Sequence, residues 1–250
     1  MNKVFVISLE RSQERRQAVA KELEQKNINF EFFDAVDGKA CFPWQASDYD
    51  FTKRLWFTSG KMPTSGEIGC YASHYLLWVK CIELNQPIII IEDDVRLAEN
   101  AKDIIELTLE KIGQYQFLRL EPIEENGEEI HSVEDVNNVK ISLMKKNLYG
   151  ARAYAISPQA AIKLIKHRWY VPVDTFIGAT YIHNQYSYLL EPSLIAGHGM
   201  HTSTITEEVD KTPIYRKLTR ELYTLYKRFM LTAKFKTKIK SIEAAKRPLQ

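Results

Sequence analysis

Four consecutive isoleucines, Ile88 to Ile91, run straight into Glu92, Asp93 and Asp94. A strand that apolar is buried on both faces. Ionised carboxylates are costly to bury unpaired, so the acidic triplet sits at the strand's C-terminal edge. In open α/β sheets that edge is where ligands bind. Side-chain alternation puts Glu92 and Asp94 on one side and Asp93 on the other. Two oxygen ligands two residues apart suit Mg²⁺ or Mn²⁺ carrying a diphosphate. The plainer alternative is a strand end followed by a solvated acidic turn.

The 250 residues hold one large domain, or one domain with a small appendage. No apolar run approaches the roughly 20 residues that span a bilayer. The apolar core of Met1–Ser8 is too short for a signal peptide and reads as a first strand. Cys41, Cys70 and Cys81 have no zinc spacing and leave one odd. Reduced thiols of a cytosolic protein account for them, with Cys70 and Cys81 as small core residues. The net charge of +2 hides an asymmetry. From Lys211 to Arg247 the chain carries twelve lysines and arginines, opposed by Glu221 and Glu243. A tail so basic points to an anionic partner.

Residues 3–9 read as a strand, 11–26 as a helix and Phe30–Phe33 as a second strand, a parallel βαβ unit. The aromatic segment 39–63 is irregular, either packed down as a loop or open as a sugar or base platform. Thr64 and Glu67 have the spacing of a capping box before a helix over Tyr71–Leu84. After the 88–92 strand come a helix over 99–112, a strand over 116–121 and a polar loop over 123–138. Then come a strand over 150–156, a helix opened by Ser157-Pro158, a loop at Val171–Asp174 with a short helix after it, and a strand over 186–190. Pro213–Pro248 reads as one or two amphipathic helices, with Leu218, Leu222, Leu225, Phe229 and Met230 at helical spacing. The alternation argues α/β with a mainly parallel sheet.

Six segments together resemble one family. They are Val6–Ser12 with Arg15-Arg16, Phe33–Gly38, Gly66–Cys70 with Ser73-His74, Ile91–Val95, Tyr154–Ser157 with Ala160-Ala161, and Pro172–Asp174. In order and spacing they resemble glycosyltransferase family 25, the bacterial lipooligosaccharide and lipopolysaccharide enzymes grouped with collagen galactosyltransferases. The resemblance covers residues 3–205. It implies a GT-A fold, a Rossmann-like mixed, mainly parallel sheet flanked by helices, over residues 1–205; the charge and apolar spacing beyond it make 206–250 a basic helical tail. It also implies inverting transfer of a hexose, most often galactose, from a UDP-sugar to a lipooligosaccharide glycan, assisted by Mn²⁺ or Mg²⁺. A UDP-glucose enzyme of the same family, a hydrolase acting on phosphate, and a catalytically silent binding module are the alternatives.

Within that resemblance the residues take candidate roles. Asp94 is a metal ligand, with Glu92 sharing the metal or binding the donor ribose, and with His198 and His201 as further ligands or surface histidines of a glycine-rich loop. Ser8, Leu9, Arg11 and Arg15 follow the first strand and face the nucleotide; guanidinium groups hold phosphate. A solvated helix face is the alternative, more so for Arg16. Asp34, Ala35 and Asp37 bind uracil or ribose, or form an Asx turn. Gly66 and Glu67 lie at a helix N-terminus that favours anions. Ser73 and His74 contact the donor from one turn further in, and Asp93 joins them. Asp174 is the base for the acceptor hydroxyl, or a ligand for it, with Glu121 as second candidate. An acceptor built on a lipid makes the basic tail a peripheral contact with an anionic membrane, at the inner face of the cytoplasmic membrane; the alternative is a helix packed on the body with a solvated basic face. No recognition motif accompanies the charge to suggest nucleic acid.

Overall fold

The computed structural model describes residues 3–40, 44–123, 129–147, 150–198 and 214–246. The chain opens with β1 (Val4–Ser8), α1 (Gln13–Gln25), β2 (Glu31–Asp34), α2 (Phe51–Phe57) and α3 (Ser65–Leu84). Next come β3 (Ile88–Glu92), β4 (Val95–Leu97), α4 (Ala101–Tyr115), β5 (Phe117–Arg119), β6 (Ile130–Val136) and β7 (Val139–Met144). The remainder is β8 (Ala153–Ile156), α5 (Pro158–Ile165), α6 (Val173–Ile177), α7 (Thr180–His183), β9 (Tyr188–Glu191), β10 (Ile195–His198) and α8 (Lys217–Lys246).

Eight strands form one sheet in the order β2-β1-β3-β8-β5-β9-β7-β6. β1 is parallel to β2 and β3, and β5 is parallel to β9. β8 and β7 run against their neighbours, so the other six strands of the eight share one direction. This is the mixed, mainly parallel α/β sheet that the alternation predicts. The four isoleucines of β3 are fully buried and divide between two cores. Ile89 and Ile91 join the layer under α1 and α4, whereas Ile88 and Ile90 join the aromatic layer under α3, α5 and α6.

Four local expectations change. Segment 39–63 is not irregular throughout: a 3-10 turn at Trp44–Asp48 and α2 order it, and Asp50 caps α2 by accepting from the Lys53 amide. Tyr49 is buried against Trp169, while Trp44 and Trp56 stay exposed. α3 starts at Ser65, six residues earlier than expected, because the Thr64–Glu67 capping box satisfies its first amides. The expected loop at 123–138 ends in a hairpin, β6–β7. Its two-residue turn is Asn137-Asn138, both at positive φ, the signature of a type I′ turn. The basic tail does not stand apart: Leu231 and Phe235 of α8 are buried, and Phe235, Ile239 and Ile242 join the core under the sheet.

The β2–α3 junction is backbone against backbone. A Cβ on Gly69 would lie 2.5 Å from the Val36 carbonyl oxygen, and one on Gly38 would lie 1.9 Å from that of Ser65. Ser73 locks the same junction, accepting from the Val36 amide at 2.8 Å and donating to the Gly69 carbonyl at 2.7 Å. Helix propensity alone favours alanine at a helical glycine by about 1 kcal/mol. The overlap opposes it, so Gly69→Ala is expected to destabilise by about 1–3 kcal/mol net in urea unfolding. A gain in stability would show that the junction is not fixed in this way.

Candidate functional site

Parallel pairing brings the C-terminal ends of β1, β2 and β3 to one edge, with Ser8 opposite Asp34 and Ile7 opposite Glu92. Three arginines around the start of α1 meet three aspartates there. Arg11 pairs with Asp37, Arg16 with Asp34, and Arg15 with Asp93 at 3.1 Å. Ser8 donates to the other Asp93 oxygen at 2.5 Å. Asp93 is therefore held from both sides; it and Asp94 lie in the turn after β3, where the alternation expected of a strand no longer applies. Arg16 is not on a solvated face; it also donates to the Ser8 carbonyl and lies over the Phe32 ring. The Ser8 carbonyl further accepts from Ala35, and the Leu9 carbonyl from Ser12. Asp37 takes its Asx turn through the Lys39 amide.

Asp94 is the exception at this edge. Its Oδ1 is buried without a hydrogen-bond partner among the described residues. Burial, and then the charge of Glu92, push its carboxyl above the ordinary range. Buried acceptors are nearly always satisfied. A carboxylate oxygen left bare beside a second carboxylate fits a cation, and that is the test the donor set passes.

Glu92 is aimed by a chain of buried hydrogen bonds. Trp78 Nε1 donates to the Tyr154 hydroxyl at 2.9 Å, and that hydroxyl lies 2.8 Å from His74 Nδ1. His74 Nε2 lies 3.2 Å from Glu92 Oε1. An indole N–H can only donate, so the Tyr154 proton goes to Nδ1. The His74 proton then sits on Nε2 and goes to Glu92, a tautomer assigned from the network. His74 is fully buried; it grips the carboxylate rather than reaching a ligand itself. Cys70 Sγ, His74 and Glu92 lie within 4.8 Å of one another, a metal-like grouping. A metal on Nε2 would displace that proton and strand the Tyr154 hydroxyl. Cys70 is half-buried, not a core residue like Cys81. Burial, then the charges of Glu92, Asp174, Asp94 and Glu67, push its thiol up.

Those four carboxylates thus converge on one region. Asp174 lies in the first turn of α6, where Pro172 at the N-cap starts a helix instead of the expected loop. Its Oδ1 accepts from the Thr175 amide at 2.6 Å. Burial, partly offset by that bond, raises its pKa, with Glu92 and Glu67 adding to the rise. Glu121 is fully buried, and Arg152 bonds both its oxygens, through the amide at 3.1 Å and Nε at 2.7 Å. Glu67 is committed to Thr64 and to the buried Arg54. Gly66 sits half-buried in the first turn of α3. Across from β4, His198 of β10 is in register with Val95, next to Asp94. His201 and Cys41 lie outside the described residues.

Sequence reasoning missed Arg152, Tyr154 as a hydrogen-bonding group, and Arg54. The spacing of Tyr154 and Trp78 carries no signal of their meeting across the sheet. Arg152 carries no local cue either, since its place depends on β8 entering the sheet reversed. Its carbonyl accepts from the Glu92 amide at 2.8 Å, and its charge acts on Asp94.

Tyr154→Phe leaves the Trp78 N–H and His74 Nδ1 unpaired in the core. A destabilisation of about 1–3 kcal/mol is expected, read by urea unfolding. Unchanged stability would show that this chain of bonds does not form.

A family profile described as glycosyltransferase family 25 (LPS biosynthesis protein) matches residues 1–177. A Haemophilus influenzae protein named as a glycosyltransferase is 31% identical over 192 residues, 72% of this chain and 64% of its own length. Lipooligosaccharide biosynthesis protein lic2B of Haemophilus influenzae is 29% identical over 235 residues, 86% of each chain. Human procollagen galactosyltransferase 2 is 29% identical over 189 residues, 72% of this chain and 30% of its own length. The chain thus spans less than two thirds of some of these relatives and most of lic2B.

Proposed function

The chain belongs to glycosyltransferase family 25, and on that premise we propose that it transfers a hexose, galactose first, from a UDP-sugar to a lipooligosaccharide or lipopolysaccharide glycan with inversion. The observation that carries this reading is the bare Asp94 oxygen beside Glu92, with Asp174 in the same electrostatic field. The relatives' names, lipooligosaccharide biosynthesis for one and procollagen galactosyl transfer for another, support the substrate class.

Asp94 and Glu92 would hold Mn²⁺ or Mg²⁺, with the backbone register bringing His198 alongside. Such a cation supplies charge neutralisation for the departing diphosphate. Ser8, Leu9, Asp34, Ala35, Asp37, Gly66 and Asp93 would line the nucleotide end of the edge, and Arg11 and Arg15, ion-paired with Asp37 and Asp93, would meet the diphosphate. Glu67, Ser73 and His74 act from behind, by fixing the loops and Glu92. Asp174 is the base. The acceptor oxygen bonds the anomeric carbon as the bond from that carbon to the diphosphate breaks; its proton passes to Asp174 and the electron pair leaves with UDP. A raised pKa makes a carboxylate a better base near neutrality. Glu121, with both oxygens on Arg152, holds that guanidinium in place. Residues 1–205 form the catalytic unit, and 206–250 bring it to the inner face of the cytoplasmic membrane. Among the described residues no helix is long and apolar enough to cross a membrane.

Two measurements test this reading. Calorimetric titration with UDP-galactose, UDP-glucose and UDP-N-acetylglucosamine, each with Mn²⁺ and with EDTA, should give metal-dependent binding of one donor; binding of none overturns it. Asp174→Asn should lower turnover by roughly 10²–10⁴-fold with donor affinity unchanged; full turnover removes Asp174 from the role.

The cation has a pH signature. A carboxyl whose pKa is raised by folding favours the fold below its unfolded pKa and loses that contribution as pH rises through the folded value. Above its folded value, where Asp94 is charged, burial makes it oppose folding, and a cation would relieve that. Mn²⁺ should raise the unfolding midpoint, and raise it progressively less as the pH is lowered and protons compete for the carboxylates. Asp94→Asn should raise the midpoint without cation and abolish the Mn²⁺ response. A response that survives takes Asp94 out of the ligand set.

A further inference from the structure

α8 carries two unlike faces. Its inward face is tied down by Leu231 and Phe235, by Tyr223 against Tyr170, and by Lys234 donating to Asn184 at 2.8 Å. Its outward face holds Leu218, Leu222, Leu225 and Phe229 at 69%, 58%, 59% and 70% exposure. Spacings of four, three and four residues set them on one line of the helix, about 16 Å long at 1.5 Å per residue. Tyr215 extends the patch and packs against exposed Trp56, with the Arg216 guanidinium near both rings. Farther along the same line the helix turns basic, at exposed Lys236 and Lys240. Across its length α8 has nine lysines and arginines against Glu221 and Glu243.

We propose that this outward line of α8 is a docking face for an anionic lipid bilayer, with Leu218, Leu222, Leu225 and Phe229 entering the interface and Lys236 and Lys240 meeting headgroups. Exposed apolar lines of this size mark interaction sites, and an apolar stripe with basic neighbours and ring-bearing residues suits the interface plane. The charge pattern decides between a bilayer and a second copy of the chain. Parallel pairing of two copies sets Lys236 and Lys240 against themselves; antiparallel pairing centred on the stripe matches Leu218 with Phe229 and Leu222 with Leu225 but leaves Lys236 and Lys240 beyond the start of the partner copy's α8. A bilayer offers acyl chains and anionic headgroups together. The amino acids that anchor the helix to the body and those that meet lipid are different sets, so docking needs no rearrangement of the core. The proposal rests on the membrane part of the functional reading and not on its sugar chemistry.

The test is flotation of the full chain with phosphatidylcholine vesicles, with and without phosphatidylglycerol, at low and high salt. Neither donor nor acceptor is present, so a failure here leaves glycosyl transfer untouched. The wild type should float with anionic vesicles. L222E/F229E should lose at least about tenfold in partition while keeping helix content and turnover on a water-soluble acceptor. L222Q/F229Q repeats the test without added charge. K236Q/K240Q should lose roughly fivefold per charge at low salt and little at high salt. The proposal is overturned if the wild type stays off anionic vesicles, or if both stripe variants float as well as the wild type. It is equally overturned if sedimentation shows a wild-type dimer that L222E/F229E converts to monomer.

Discussion

The end of β3 places three carboxylates where a fully apolar strand meets solvent, and the surrounding structure is organised by how their charge is compensated. Asp93 is neutralised by Arg15 and Ser8. Glu92 is gripped through His74 by a chain that starts at Trp78 in the core. Asp94 feels the charges of Arg15 and Arg152 but keeps its Oδ1 without a hydrogen bond among the described residues. Had all three been paired, the edge would be a plain structural ion network. The unequal treatment of three adjacent acids makes the edge a site.

Much of this was legible in the sequence. The period of the apolar residues gives β1, α1, β2 and β3, and the capping box is readable at Thr64 and Glu67. The isoleucine run predicts burial on two sides, and the two cores bear that out. The Asn137-Asn138 turn was equally readable, since asparagine pairs tolerate positive φ, but the acidic residues around it suggested solvent.

What the sequence could not carry is long-range. His74 and Tyr154 are 80 residues apart and Arg15 and Asp93 are 78. Neither pair has a local pattern, because their meeting depends on the strand order and on β8 entering the sheet reversed. The hydropathy of α8 likewise shows two apolar sets without saying which faces inward. Leu231 and Phe235 went to the core, and the more regular set from Leu218 to Phe229 stayed outside.

The reversal of β8 has a consequence for biosynthesis. Arg152, just before β8, joins the ends of β3 and β5 through its carbonyl, its amide and its guanidinium. Until it emerges from the ribosome, Glu121 has no counter-charge from it and the Glu92 amide lacks its acceptor. Sixty residues separate Glu92 from Arg152. At about 5–20 residues per second, the nascent chain spends roughly 3–12 seconds with β3 complete but the Glu92 amide without that acceptor. Synthesis order therefore lets Ser8, Arg15 and His74 meet the acidic end of β3 before Arg152 can join it to Glu121.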